Sequence, residues 1–191
     1  MLRIIETQMQ DGKPIKEFVL DRMLPESVYT MPEIDANVIY SVCYYTPGPH
    51  IEIGVLDGGS AIVAGIAKSL RKKGEIVYGV DKKLRKNTLR NIELLGLNDT
   101  VMIYEQEHPP LPDELENITF GSAFIDGAHG YEPAMADWMN LKDRVAQYII
   151  FHDVQHTKFG CRRVFYEACD DPDWTGLFMI GKVGVLERVS G

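Results

Sequence analysis

The sequence predicts an α/β fold: a mostly parallel sheet covered by helices on both faces, a three-layer Rossmann-like sandwich, with an antiparallel hairpin at its end. Three observations predict it. Five strand-like apolar segments alternate with helical patterns from residue 50 onward, and such alternation gives crossovers and a parallel sheet. The strands are short, β-branched runs without polar alternation, as sheets buried on both faces require. Finally, "GLFMIGKVGVLERVS" holds two apolar runs around Gly181, the mark of a terminal hairpin.

The elements follow in order. Residues 1 to 30 alternate weakly and carry turn signals at "QDGKP", consistent with a hairpin or an irregular arm. "MPEIDANVIYSVCYYTPG" reads as a helix entered at Pro32 and ended by Pro47-Gly48. "HIEIGV" is a strand, and "SAIVAGIAKSLRKK" a helix with Ile62, Val63, Ile66, Ala67 and Leu70 on one face. "EIVYGVD" is a buried strand, and "KLRKNTLRNIELLG" a helix closed by Gly96. "TVMIYE" precedes the proline-rich loop "HPPLPDEL". "SAFIDG" is a strand, "YEPAMADWMNLKDR" a helix, "AQYIIFHD" a strand and "GCRRVFYEAC" a short helix. Met135, Trp138 and Met139 are assigned to the core, and Cys161 and Cys169 to packing.

A chain of 191 residues suits one domain, here divided into an N-terminal extension and helix (1–45), packing on or covering the site, and a main domain (46–191). Acidic residues outnumber basic ones 28 to 20, a formal charge of −8 that opposes binding to phosphate backbones. No nucleic-acid partner is expected, and the basic clusters "SLRKKGE" and "DKKLRKNTLR" read as solvated helix ends. No apolar run approaches the roughly 18 residues of a membrane span. The N-terminus lacks the apolar core of an export signal, and three cysteines without a CxxC pair fit a reduced, cytoplasmic protein. Homo-oligomerisation is left open.

The chemistry concentrates in two places. In "IEIGVLDGGS" a strand passes through a glycine cluster into a helix, which brings backbone close to a ligand. The dinucleotide fingerprint G-x-G-x-x-G needs a second glycine where this chain has Leu56, and Asp57 would face the pyrophosphate. Both count against a nicotinamide-dependent oxidoreductase. A ligand without phosphate and with cationic centres suits the acids Glu52 and Asp57 better. Asp81 ends the second strand, where a carboxylate can accept from both hydroxyls of a ribose; it could equally cap the following helix. The second place is "FIDGAHGYE" with "FHDVQH". Here Asp126, His129, His152, Asp153 and His156 lie at the ends of neighbouring strands. The two histidines of "HDVQH" lack the HExxH acid, so zinc is not expected.

"IEIGVLDGGS", "IVYGVD", "AFIDGAHGYE" and "IIFHDV" together resemble the successive motifs of class I S-adenosylmethionine-dependent methyltransferases. The similarity is greatest to the branch related to macrolide-sugar O-methyltransferases and cephalosporin-hydroxylase-like proteins. It is specific from about residue 50 to 155, looser to 190, and owes nothing to residues 1 to 45. It implies a seven-stranded sheet with a reversed last strand, and methyl transfer to a small-molecule hydroxyl. Glu52, Gly54, Gly58, Gly59 and Ser60 would line the methionine side of the cofactor, Asp81 the ribose, and Glu105 or Gln106 the adenine. Asp126, beside the cofactor, would join Asp153 in holding a divalent cation such as Mg²⁺ against the acceptor hydroxyl, with His129 taking its proton. Val154 stands where metal-dependent relatives often carry a polar ligand. This keeps alive a third reading, a nucleoside-binding protein of the same fold without methyl transfer.

Overall fold

A computed structural model describes residues 9–10, 13–14, 31–72 and 74–189. Two short strands, β1 (Met9–Gln10) and β2 (Lys13–Pro14), pair antiparallel, the hairpin expected at "QDGKP". The remainder of residues 1 to 30 lies outside the described residues. The other elements are α1 (Glu33–Tyr45), β3 (His50–Ile53), α2 (Gly59–Arg71), β4 (Val77–Asp81), α3 (Lys86–Leu94), β5 (Val101–Glu105), β6 (Phe120–Ile125), α4 (Tyr131–Leu141), β7 (Val145–Phe151), α5 (Gly160–Cys169), β8 (Trp174–Ile180) and β9 (Val183–Arg188).

Seven strands form the main sheet in the order β5-β4-β3-β6-β7-β9-β8. The first five run parallel, and β9 pairs antiparallel with both β7 and β8. The expected reversed hairpin is therefore present, with β9 inserted between β7 and β8. Strand order reverses between β3 and β6, which register Ile53 opposite Ile125. Ligands of open parallel sheets bind at such a switch point, beyond the carboxyl ends of the strands.

Two apolar layers flank the sheet. On one face α1 and α2 bury Val38, Ile39, Val42, Ile62, Val63 and Ile66 against Phe124 and Val185. On the other, α4 and α5 bury Trp138, Leu141, Val164 and Phe165 against Ile51, Ile149 and Phe151. Helix α1 thus completes one core layer of the main domain. Trp138 is buried as expected, whereas Met139 is more than half exposed because α4 turns that position outward.

Helix α3 starts at Lys86, three residues later than its pattern suggests. The amides of Lys83 and Leu84 are held by the carboxylates of Asp81 (3.0 Å) and Glu105 (3.1 Å), which pin this segment as a turn. Gly96, at φ 67°, closes the helix as expected, its amide on Glu93 O and that of Leu97 on Ile92 O. Among the described residues, no helix is long and apolar enough to cross a membrane.

Candidate active site

A cavity of about 560 Å³ opens at the switch point, within the size range of small-molecule sites. Its floor is the turn from β3 into α2. Gly54 (φ 88°) and Gly58 (φ 89°) both need the left-handed conformation, and Gly58 sits at the N-cap of α2. A Cβ on Gly54 would stand 2.2 Å from the Asp126 carbonyl oxygen, so the loop packs directly on the end of β6. Leu56 also adopts a positive φ, 51°, unusual for a branched side chain. Asp81 holds it there: one carboxylate oxygen accepts the Val55 and Leu56 amides at 2.8 and 2.9 Å. The Thr88 hydroxyl donates to the Leu56 carbonyl at 2.6 Å.

Asp81 therefore braces the loop. Its other oxygen accepts one bond, from Lys83 N, which leaves lone-pair capacity toward the cavity that it lines. It does not cap α3, whose N-cap is Arg85. The predicted loop residues separate in depth. Gly54, Gly59 and Ser60 line the cavity, but Glu52 does not. Its side chain is fully buried beneath the turn, where it accepts the Ser60 hydroxyl. Burial lifts the Glu52 carboxyl well above its ordinary range, outweighing the Ser60 hydrogen bond, with Asp126 and Asp81 adding to the rise. Glu52, expected on the methionine side, supports the loop from beneath and is not among the residues that line the cavity. Gly58 likewise shapes the turn without lining the cavity.

Of the two residues proposed near an adenine, Gln106 lines the cavity, and its amide nitrogen donates to Pro110 O at 2.8 Å. Glu105 accepts the Leu84 amide and is not among the lining residues. The basic segment after Asp81 was expected to be a solvated helix end. It is exposed and leads into α3, and Lys82, Lys83 and Arg85 also form the cavity lip, with Arg85 3.2 Å from Asp57.

The opposite wall brings the acceptor-side residues together. Asp126 follows β6, and His152 and Asp153 follow β7, its parallel neighbour in register at Ile125 and Phe151. Asp153 has φ 55°, tolerable for an aspartate, and its carboxylate is nearly buried. Three histidines and a lysine surround it: His129 Nδ1 at 3.4 Å, His152 Nδ1 at 3.6 Å, His156 Nε2 at 3.7 Å and Lys182 Nζ at 4.0 Å. His129 stacks on Phe159, with ring centroids 4.8 Å apart, and remains open to the cavity. His152 Nδ1 meets Asp126 Oδ1 at 3.1 Å. Burial pulls the His152 pKa down, but the hydrogen bond to Asp126 and the nearby carboxylates of Asp35 and Asp153 overcome it and push the group up to about 10.

Two features here escape sequence inspection. Asp35, in the first turn of α1, is fully buried; it accepts the Lys182 amide at 2.9 Å and lies 3.4 Å from His152 Nε2. At the other end of the cavity, His108 of "HPPLP" bonds Asp137 at 2.6 Å and Asn140 at 3.2 Å. Burial raises the Asp137 pKa, against the opposing pull of His108. The one available hint was Asp137 and Asn140 a turn apart on α4; nothing local distinguishes Asp35 from an ordinary first-turn acid.

Residues 51–154 match a family described as a methyltransferase domain. None of the curated proteins compared with the chain matches it. Among solved structures, an O-methyltransferase from Bacillus cereus in complex with SAH has 18% sequence identity and a TM-score of 0.67, over 92% of this chain and 89% of that one. TomG, an O-methyltransferase from Streptomyces achromogenes involved in tomaymycin synthesis and solved with SAM, gives 12% and 0.66, over 98% and 93%. CalS11, a TDP-rhamnose 3'-O-methyltransferase of calicheamicin biosynthesis, gives 14% and 0.61, over 91% of each chain. At these identities the likeness shows a shared Rossmann-like methyltransferase fold.

Proposed function

The chain belongs to the methyltransferase-domain family, and from that premise we propose that it transfers a methyl group from S-adenosylmethionine to a hydroxyl of a small molecule, of sugar or natural-product type. One observation carries this: a single cavity is lined on one side by the glycine turn with Asp81, and on the other by Asp126, His129 and Asp153. The turn suits the cofactor, since Leu56 stands where a dinucleotide loop needs its second glycine, while Asp81 and Asp126 line the cavity as carboxylates that favour cationic groups. Gly54, Gly59 and Ser60 would hold the methionine portion, Asp81 the ribose and Gln106 the adenine.

When bound, S-adenosylmethionine supplies an electrophilic methyl group on a sulfonium. The chain's residues act on the acceptor. His129, fixed by Phe159 and facing Asp153, takes the proton of the attacking hydroxyl. The Asp126–Asp153 wall sets where that oxygen stands, and positioning supplies much of the rate.

The wall also fits a divalent cation. Asp126, His152 and Asp153 each offer a ligand atom, all within 4.8 Å of one another, and Asp153 Oδ1 is buried without a hydrogen-bond partner. An ion held by Asp126 and Asp153 would lower the acceptor hydroxyl's pKa.

The experiment is a turnover assay with methyl-labelled S-adenosylmethionine and matched hydroxyl, amine and thiol compounds, including nucleotide sugars. Label is expected in hydroxyl compounds, and label confined to nitrogen or sulfur acceptors would overturn the proposal. Asp81→Ala is expected to weaken cofactor affinity by roughly 1–3 kcal/mol, the range for buried partners left unpaired. Calorimetry on the variant measures it. Undiminished affinity would remove Asp81 from the cofactor site.

A further inference from the structure

Asp35 poses a question that the methyl-transfer scheme leaves unanswered. It lies outside the 51–154 family match, on the first turn of α1, and its side chain is completely buried. Burying a carboxylate is costly unless its oxygens are used. One oxygen accepts the Lys182 amide at 2.9 Å. The other has no hydrogen-bond partner and faces His152 Nε2, 3.4 Å away, which also lacks one.

A carboxylate beside Nε2 favours a proton on that nitrogen and turns Nδ1 to the other side of the ring. There Nδ1 meets Asp126 Oδ1 at 3.1 Å and Asp153 Oδ1 at 3.6 Å. Once Nδ1 gives up its proton in exchange for an incoming cation, three ligand atoms converge from the ends of two adjacent strands. A single proton can bridge two of them, and Asp153 Oδ1 is left buried without a hydrogen bond, with His156 Nε2 and Lys182 Nζ no nearer than 3.7 and 4.0 Å. One occupant that serves all three is a metal ion. A carboxylate behind a histidine ligand is the usual outer support of such sites, fixing tautomer and ring orientation.

Resting on the cation reading above, we propose that His152 is a third ligand beside Asp126 and Asp153, that Asp35 is its positioning residue, and that the site selects a first-row transition dication over Mg²⁺. Magnesium takes oxygen ligands and keeps its waters, whereas imidazole suits the transition ions. Asp126, His152 and Asp153 supply two carboxylates and one nitrogen.

The test uses the full chain, with calorimetric titration of Mn²⁺, Co²⁺ and Mg²⁺ and the visible absorption of bound Co²⁺. Mn²⁺ and Co²⁺ are expected to bind at least ~10-fold more tightly than Mg²⁺. Asp35→Asn is expected to weaken Co²⁺ binding about 10–100-fold and alter its spectrum. S-adenosylhomocysteine affinity should be unchanged. Because Asp35→Asn disturbs a fully buried position, His152→Ala and His152→Asp provide independent readings at a second position that lines the cavity: the first should lose Co²⁺, the second should recover Mg²⁺. Equal metal affinity in wild type and His152→Ala, both dependent on Asp126, would overturn the histidine ligand and leave the two-carboxylate cation site standing. A wild-type preference for Mg²⁺ would overturn the ion assignment. Failure of every ion to bind at millimolar concentration would remove both.

Discussion

Asp153→Asn is expected to lower kcat roughly 10²–10⁴-fold, the range for losing a group that governs proton transfer, while cofactor affinity stays within a factor of about two. Asp153 is nearly buried, without a hydrogen bond at Oδ1, and faced by His129, His152, His156 and Lys182. An amide there keeps the volume but loses the charge that orients His129 and would anchor a cation. Chelator should reproduce the loss in the wild type, and added divalent metal should rescue the chelated wild type but not the variant. Single-turnover kinetics alongside S-adenosylhomocysteine binding separates these effects. Full activity of Asp153→Asn in excess chelator would leave His129 as the sole base and strip Asp153 of its role.

Gly54→Ala is expected to abolish cofactor binding and to destabilise the fold. Its φ of 88° alone costs a side chain about 1–2 kcal/mol. The added Cβ would also stand 2.2 Å from the Asp126 carbonyl oxygen and 2.9 Å from Gly127 N, both backbone atoms. Relief requires the glycine turn to move away from β6, opening the junction on which both walls of the cavity rest. Gly74→Ala is the matched control: φ is 92° but nothing lies within 4 Å of its Cβ, so only the conformational cost remains. Thermal unfolding and calorimetry of the two variants measure the difference. Normal cofactor affinity in Gly54→Ala would contradict the close approach of loop and strand.

Much of this fold is written in local patterns. Each strand of the parallel core carries its own apolar run, and glycines mark the turns that need positive φ. The pairing of Asp126 with Asp153 was also legible, because both end strands that alternation makes parallel neighbours. Glu52 was not. In a sheet covered on both faces every β3 residue is buried, so alternation cannot show which side chain meets a ligand and which lies under the turn. Asp81 was placed correctly at a strand end, but its bonds to Val55 and Leu56 depend on a loop conformation with no sequence signature. Asp35 and the His108–Asp137 pair depend on packing between segments distant in sequence. The lysines after Asp81 illustrate the same limit: two carboxylates hold neighbouring amides and set this exposed helix end at the cavity lip.

Calorimetric titration of the full chain with S-adenosylmethionine, S-adenosylhomocysteine and NAD tests directly whether the glycine turn and Asp81 hold an adenosyl methyl donor. Saturable one-site binding of S-adenosylmethionine and S-adenosylhomocysteine is expected, mutually competitive, with no saturation by NAD. Saturable NAD binding with no response to either adenosyl compound would contradict that assignment.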